Sequence, residues 1–265
     1  MFVKKRLSVI YITALLITLT STAYAEDEDI DKGWEFELSL GAESEPTYVG
    51  SDKSITELQA NFEATYRTDY GVDYFIGLGE VGASFSLGND WELTSFLEFE
   101  EGRDNSEDDT LEHFPEVEDT IEGQFILAKH INDWTIAGVF QPDLLGRGKG
   151  LVYFFALGLE QELTQKLSLD TRLDISFADA EHINTEVGIS DSVAALSGLD
   201  PYTASGGYKS TTLGLQLEYA FNEKWAIVTN ADGEFYGKNV ADSPLVRDEG
   251  TDINYTLGLG VTYSF

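Results

Sequence analysis

The sequence predicts an all-β fold: a transmembrane antiparallel β-barrel. Three observations carry that expectation. Apolar residues recur at every second position over runs of nine or more residues, which is the period of a strand and not of a helix. Those runs are as long as a tilted strand needs to cross a bilayer, roughly 9–11 residues, whereas soluble strands are about half that. Aromatic residues also gather at strand ends. Trp91, Trp134 and Trp225 each follow a tight polar turn, where an amphipathic ring would meet the headgroup level.

The chain opens with a segment that is not part of the barrel. Residues 1–25 combine a basic start (Lys4, Lys5, Arg6), an apolar run from Leu7 to Leu19 and small residues ending in Ala23-Tyr24-Ala25. This is the layout of a secretory signal peptide, with cleavage expected between Ala25 and Glu26. The apolar run is too short and too interrupted to serve as a membrane anchor. Residues 26–32 then read as an acidic periplasmic leader, and residues 33–265 as one barrel domain.

Two-faced runs follow at Trp34 to Ala42, Leu58 to Tyr66, Trp91 to Phe99, Leu167 to Phe177 and Leu213 to Phe221. The clearest is the C-terminus, where Ile253, Tyr255, Leu257, Leu259, Val261, Tyr263 and Phe265 share one face. Polar residues and glycines occupy the other. Tight turns are expected near Thr68–Gly71, Gly88–Asp90, Asn132–Asp133, Thr164–Lys166 and Asn222–Lys224. Longer loops are expected near Ser44–Thr56, Gly102–Asp119, Gln141–Gly150, Asp179–Gly207 and Lys238–Gly250. Short turns inside and long loops outside are the habit of outer-membrane barrels, which have an even number of strands. A sixth outer connection near Gly79–Gly82 makes twelve strands, with ten as the alternative. A single strand over Val72–Leu87 would make eleven and break the rule.

Composition narrows the partners. The chain has 265 residues, with 48 acidic against 16 basic and a formal net charge of −32. Nucleic acid is excluded as a partner, because its binding needs basic patches that displace counterions. An anionic cytoplasmic leaflet is excluded by the same sign. The absence of cysteine rules out disulfides, thiolate metal sites and cysteine catalysis.

With apolar positions facing lipid, the other face carries Glu35, Glu37, Glu63, Glu92, Glu98, Glu122, Asp170, Asp174, Glu218, Asp232 and Asp252. Of these, Glu63, Glu98, Asp174, Glu218 and Asp232 are the candidate lumen acids. Inward basic residues are few, chiefly Arg67 and Arg172. So many carboxylates cannot all ionise in a dry core. Either water fills the lumen and makes a cation-preferring path, or the lumen is plugged and the acids pair with Arg67, Arg172, Lys149 and Lys209. The loop Asp179–Gly207 is long enough to fold inward and block it.

No catalytic set emerges. His113 and His182 fall in loops and His130 at a turn, and surface histidine is the simplest reading of each. His182 with Ser190 or Ser192 lacks a nucleophile elbow. Asp104–Asp109 superficially resembles a calcium loop but lacks the glycine at its sixth position and the glutamate at its twelfth. No enzymatic activity, cofactor or specific metal site is expected. The acidic loops would instead face lipopolysaccharide phosphates across bridging cations.

Several stretches are familiar as a group: Pro46-Thr47-Tyr48-Val49-Gly50-Ser51, Gly188-Ile189-Ser190, Ala194–Leu199, Tyr202, Gly206-Gly207 and Ala241-Asp242-Ser243-Pro244-Leu245-Val246. They resemble the MipA/OmpV family over nearly the whole chain. The most specific matches are Asp242-Ser243-Pro244 and the Pro46, Tyr48, Gly50 group. The resemblance implies an outer-membrane protein of a Gram-negative bacterium, described for some members as a scaffold for a murein-cleaving transglycosylase. Tyr263 and Phe265 resemble the terminal aromatic signal read by the barrel assembly machinery. The loop motifs are expected to act structurally, with Asp242-Ser243-Pro244 turning back over the barrel mouth. The expected function is scaffolding of murein-processing enzymes. A narrow pore for small cationic solutes and a surface adhesin or sensor are the alternatives.

Overall fold

The computed structural model describes residues 32–265. The expected signal peptide, its cleavage site and residues 26–31 of the leader lie outside the described residues. Twelve strands follow: β1 (Gly33–Pro46), β2 (Ser54–Arg67), β3 (Val72–Gly77), β4 (Glu80–Gly88), β5 (Trp91–Glu100), β6 (Thr120–Ile131), β7 (Trp134–Pro142), β8 (Leu151–Thr164), β9 (Leu167–Ala178), β10 (Gly207–Asn222), β11 (Trp225–Tyr236) and β12 (Ile253–Ser264). Each pairs antiparallel with its neighbours in sequence, and β12 pairs with β1 to close the barrel. Closure gives every strand two partners, so no sheet edge runs the full height of the bilayer.

The tight turns explain themselves chemically. Asn89 and Asp90 link β4 to β5 with φ of 51° and 57°, and Asn132 opens the next such turn at 52°. Two-residue hairpin turns demand this left-handed backbone, and Asn and Asp tolerate it. Trp34, Trp91, Trp134 and Trp225 lie at the periplasmic ends of β1, β5, β7 and β11 and are exposed. The chain end belongs to the same belt. Phe265 N donates to Phe36 O at 3.0 Å, and the two rings stack with centroids 5.4 Å apart.

Three expectations need correction. β1 and β2 extend into the predicted Ser44–Thr56 loop, leaving residues 47–53 as the connection. The β3–β4 connection is shorter than Gly79–Gly82. It is the pair Leu78-Gly79, with Gly79 at φ 88°, and Glu80 to Gly82 already belong to β4. The third concerns β6 to β8, where apolar residues occupy both faces. Phe125, Leu127, Ile136, Phe140 and Phe155 face outward, while Ile126, Ala128, Ala137, Val139 and Ala156 form a buried cluster inside. Near-continuous apolar runs mark strands covered on both sides.

The long loops fold into a cap. It contains α1 (Ala180–Val187), α2 (Asp191–Ser197), α3 (Lys238–Ala241) and α4 (Pro244–Arg247). Asp179 caps α1 by accepting from His182 N, Ser190 caps α2 by accepting from Val193 N, and Ser243 caps α4 by accepting from Leu245 N. The cap has two apolar clusters. One packs Ile183, Val187, Ala204, Val240 and Val246 onto Val152 and Ala178, at the outer ends of β8 and β9. The other joins Tyr48, Leu111, Phe114, Ile189, Val193 and Leu245. Loops from four connections thus share two buried cores across the mouth.

Candidate functional site in the barrel interior

The interior is divided into sectors. At mid-height along β5 to β8 it is apolar, with Phe96 and Phe154 packed on the cluster of Ile126, Ala128, Ala137, Val139 and Ala156, and buried Glu122 and Gln124 lie beyond it on β6. Phe154 also packs on the cap cluster above, so a dry column runs from mid-barrel into the cap. Phe75 of β3 continues it sideways, edge-on to Phe96 at 5.7 Å. Gly82 makes room for that pair, since a Cβ there would meet the Phe75 ring at 2.8 Å.

Acids line the rest of the interior, and they form separate groups. Arg172 gathers Asp174 at 2.6 Å and Asp232 at 3.4 Å. Gly214 permits this, because a Cβ there would fall 2.5 Å from Asp232 Oδ1. Glu63 and Glu218 belong to a second group centred on Glu37, which lies within electrostatic reach of both. Glu37 and Glu63 stand directly opposite on β1 and β2, and Glu63 accepts from Thr65 Oγ1 at 2.8 Å. Glu98 of β5 stands opposite Glu80 of β4 and accepts from Gln124 Nε2 at 3.0 Å. Near the periplasmic end Arg67 reaches Glu35 at 2.9 Å. Asp252 precedes β12 at the outer rim and is exposed, so it is not a strand residue of the lumen. Glu43 is a buried acid that the sequence reading passed over. It accepts from Asn230 Nδ2 at 3.1 Å, and its place on the same face as Glu35 and Glu37 was the available signal.

Above the lumen, charged groups bind the cap to the wall. Lys149 Nζ lies 3.3 Å from Glu100, and Arg103 donates to the carbonyl of Glu186 at 2.8 Å. Burial would raise the Glu186 carboxyl, but Lys149, Arg103 and Lys209 hold it down at about 2. Asp108 is also held at about 2. Burial opposes that shift, and hydrogen bonds from Lys53 Nζ, Thr110 N and Thr47 Oγ1 overcome it. Asp143 accepts from Thr120 Oγ1 at 2.5 Å and from the N–H groups of residues 145, 146, 147 and 149.

His182 is not a surface histidine as expected. It is buried in α1 with Nδ1 2.7 Å from Lys149 O, and burial together with Lys209 pushes it down to about 4. Ser190 and Ser192 bond each other instead, Oγ to Oγ at 2.9 Å. His113 is exposed, and His130 Nδ1 lies 3.1 Å from Thr135 Oγ1.

The family-like motif residues fasten loops together. Ser243 is fully buried and donates from Oγ to Val187 O at 2.7 Å, Pro244 opens α4 and Asp242 ends α3. Tyr48 reaches Glu249 O at 3.3 Å. Gly50 has φ 85°, donates to Asn254 Oδ1 at 2.8 Å and would place a Cβ 2.6 Å from Val246. Pro46 ends β1 opposite Ser54.

Comparison with known proteins agrees with this architecture. A family model described as the MltA-interacting protein MipA matches residues 38–265. Outer membrane protein Omp26La of Vibrio anguillarum is 27% identical over 139 residues, covering 51% of this chain and 50% of that protein. OmpV of Vibrio cholerae serotype O1 matches with the same identity and the same coverage. These matches span about half the length of the curated relatives. Among solved structures, an outer membrane channel from Pseudomonas putida F1 is 11% identical at a TM-score of 0.49, covering 91% of this chain and 98% of that one. The translocator domain of the autotransporter NalP from Neisseria meningitidis is 11% identical at 0.47, covering 94% of each chain.

Proposed function

The chain belongs to the family of the MltA-interacting protein MipA, a family of outer-membrane barrels, and from that premise we propose that it is a closed barrel holding a murein-processing enzyme at the inner face of the outer membrane. One observation carries the closed state: four loop connections pack two apolar cores across the mouth. A solute path along the dry column would have to pull those cores apart. The partner's identity as a murein transglycosylase is what the family description supports. The tight turns offer little area, since a stable interface buries roughly 800 Å² per partner. The partner would therefore grip several turns at once, where Lys32, Lys166 and Lys224 are exposed. In-membrane crosslinking followed by identification of captured proteins tests this reading. Recovery of a murein hydrolase or synthase is expected, and its consistent absence would overturn it.

The acidic part of the interior favours a second reading, a narrow route for small cations. Planar-bilayer recording from folded protein separates the two. The closed barrel is expected to be silent. Stable cation-selective steps, reduced in Glu63→Gln and Glu218→Gln, would install the second reading in place of the first.

A further inference from the structure

The barrel wall has a window. β2 pairs with β1 along its whole length, from Gly33 opposite Arg67 to Pro46 opposite Ser54. With β3 it pairs only from Glu63 opposite Gly77 to Arg67 opposite Asp73. The next contact, Leu78 N to Phe62 O at 3.2 Å, is the last on that side. The short β3–β4 hairpin is the cause, since it turns at Leu78-Gly79 well below the outer rim. Across the gap β5 meets the hairpin up to Glu98 opposite Glu80 and Phe99 N to Gly79 O. Two strands end at that level, so β2 and β5 flank a gap whose base is as wide as the hairpin, about 14 Å or three spacings of roughly 4.8 Å.

The opening is framed on all sides. The β5–β6 connection continues as a pair at Arg103 and Val117, then crosses to the β1–β2 connection. Asp108 closes the lintel by bonding Lys53 Nζ at 2.7 Å and Thr47 Oγ1 at 2.8 Å. The sill is the Leu78-Gly79 turn.

Chemistry differs on the two sides of the frame. Outward lie Leu58, which is 83% exposed, Leu78 and Phe99. Leu58 and Ala60 are in phase with Phe62, so their N–H and C=O groups point into the gap. Unpaired backbone at bilayer depth is costly unless something polar meets it. Inward, Glu80 and Glu98 stand directly opposite each other, with Glu63 in electrostatic reach of Glu80. Like charges so placed repel. Among the described residues no basic side chain forms an ion pair with Glu57, Glu63, Glu80 or Glu98.

The geometry points to a lateral binding site for a cationic amphiphile. Its acyl chain stays in the outer leaflet against Leu58, Leu78 and Phe99. Its ammonium head enters the window, meets the free carbonyls of β2 and sits between Glu80 and Glu98. An anionic amphiphile would be repelled by the same carboxylates, and a neutral one gains nothing from them. This site is independent of the scaffold reading, because it faces lipid and not the periplasm.

Titration of the full barrel in phosphatidylcholine nanodiscs tests it, with dodecyltrimethylammonium, dodecyl maltoside and dodecyl sulfate as probes. Saturable binding of the cationic probe is expected, at least tenfold tighter than of the others. The double variant Glu80→Gln/Glu98→Gln should lose it. Asn61→Arg, which puts a fixed cation on the same inward face of β2, should lose it too, with folding of both variants checked by heat-modifiable gel migration. Equal uptake of all three probes, or unchanged binding in the folded variants, would overturn the proposal. So would equal competition by tetramethylammonium, because a head group without a chain reaches the acids through water and not through the wall.

Discussion

At mid-height on β6 to β8 the inward positions are Ile126, Ala128, Ala137, Val139 and Ala156, with Gln124 and Glu122 following nearer the outer end, while on β9 to β11 they include Asp170, Arg172, Asp174, Gln216, Glu218 and Asp232. The pleat and the antiparallel pairing are the same in both regions. What differs is what packs against them. The apolar side is covered by Phe96 and Phe154 and continues upward into the cap, so it needs no water. The acidic side holds more carboxylates than its few cations can neutralise, so it must be hydrated or supplied with cations. A barrel wall therefore has no fixed inside chemistry. Each sector adopts the chemistry of whatever covers it.

Placing a charge in the dry sector should have the largest effect. Val139→Glu is expected to lower stability by about 3–5 kcal/mol, the cost of a buried charge with no partner. Glu218→Gln, the reverse change in the acidic sector, should leave stability unchanged or raise it. Denaturant unfolding from lipid vesicles measures both, and equal losses would mean that the two sectors are equally wet. Next in size, Phe154→Ala removes the ring shared by the lumen cluster and the cap cluster. A loss of about 3 kcal/mol is expected, together with earlier proteolysis of the cap. Intact protease resistance would show that the column is not continuous.

The smallest effect is a slope with pH. His182 is depressed in the folded protein, so the unfolded chain binds the extra proton first as pH falls. Its contribution is fully present above about 6.5, the ordinary histidine value, and is lost as pH falls toward 4. Unfolding midpoints should therefore decline across that window in the wild type. In His182→Gln that part of the decline should vanish, and an identical decline would assign it to other groups.

Much of this was legible in the sequence, for identifiable reasons. β1, β2, β5, β9, β10 and β12 alternate cleanly because one face meets lipid and the other meets polar groups. The apolar sector was missed because β6 to β8 do not alternate. A run such as Gln124–Ala128 (QFILA) reads as a weak strand when it is a strand buried on both faces. The helices of the cap were hidden by length, since none exceeds eight residues. Their caps were visible all the same: Asp179 before Ala180-Glu181 and Ser190 before Asp191-Ser192 are N-cap signals. The window follows from the short β3–β4 hairpin, but its neighbours' height only becomes evident in the paired register.

The seam between β1 and β12 joins residues more than 200 positions apart, from Glu37 opposite Ser264 to Ser44 opposite Leu257. It is pinned at both ends. Phe36 and Phe265 exchange hydrogen bonds below, while Gly50 N bonds Asn254 Oδ1, and Thr251 N bonds Gly50 O at 2.7 Å, above. The entropy of closing so long a loop falls on the last step of folding, after the local hairpins have formed. The upper pin can engage only when the cylinder has already shut. Gly50 and its neighbours thus work as a clasp: they add little to the rate at which the barrel forms, and they slow its reopening.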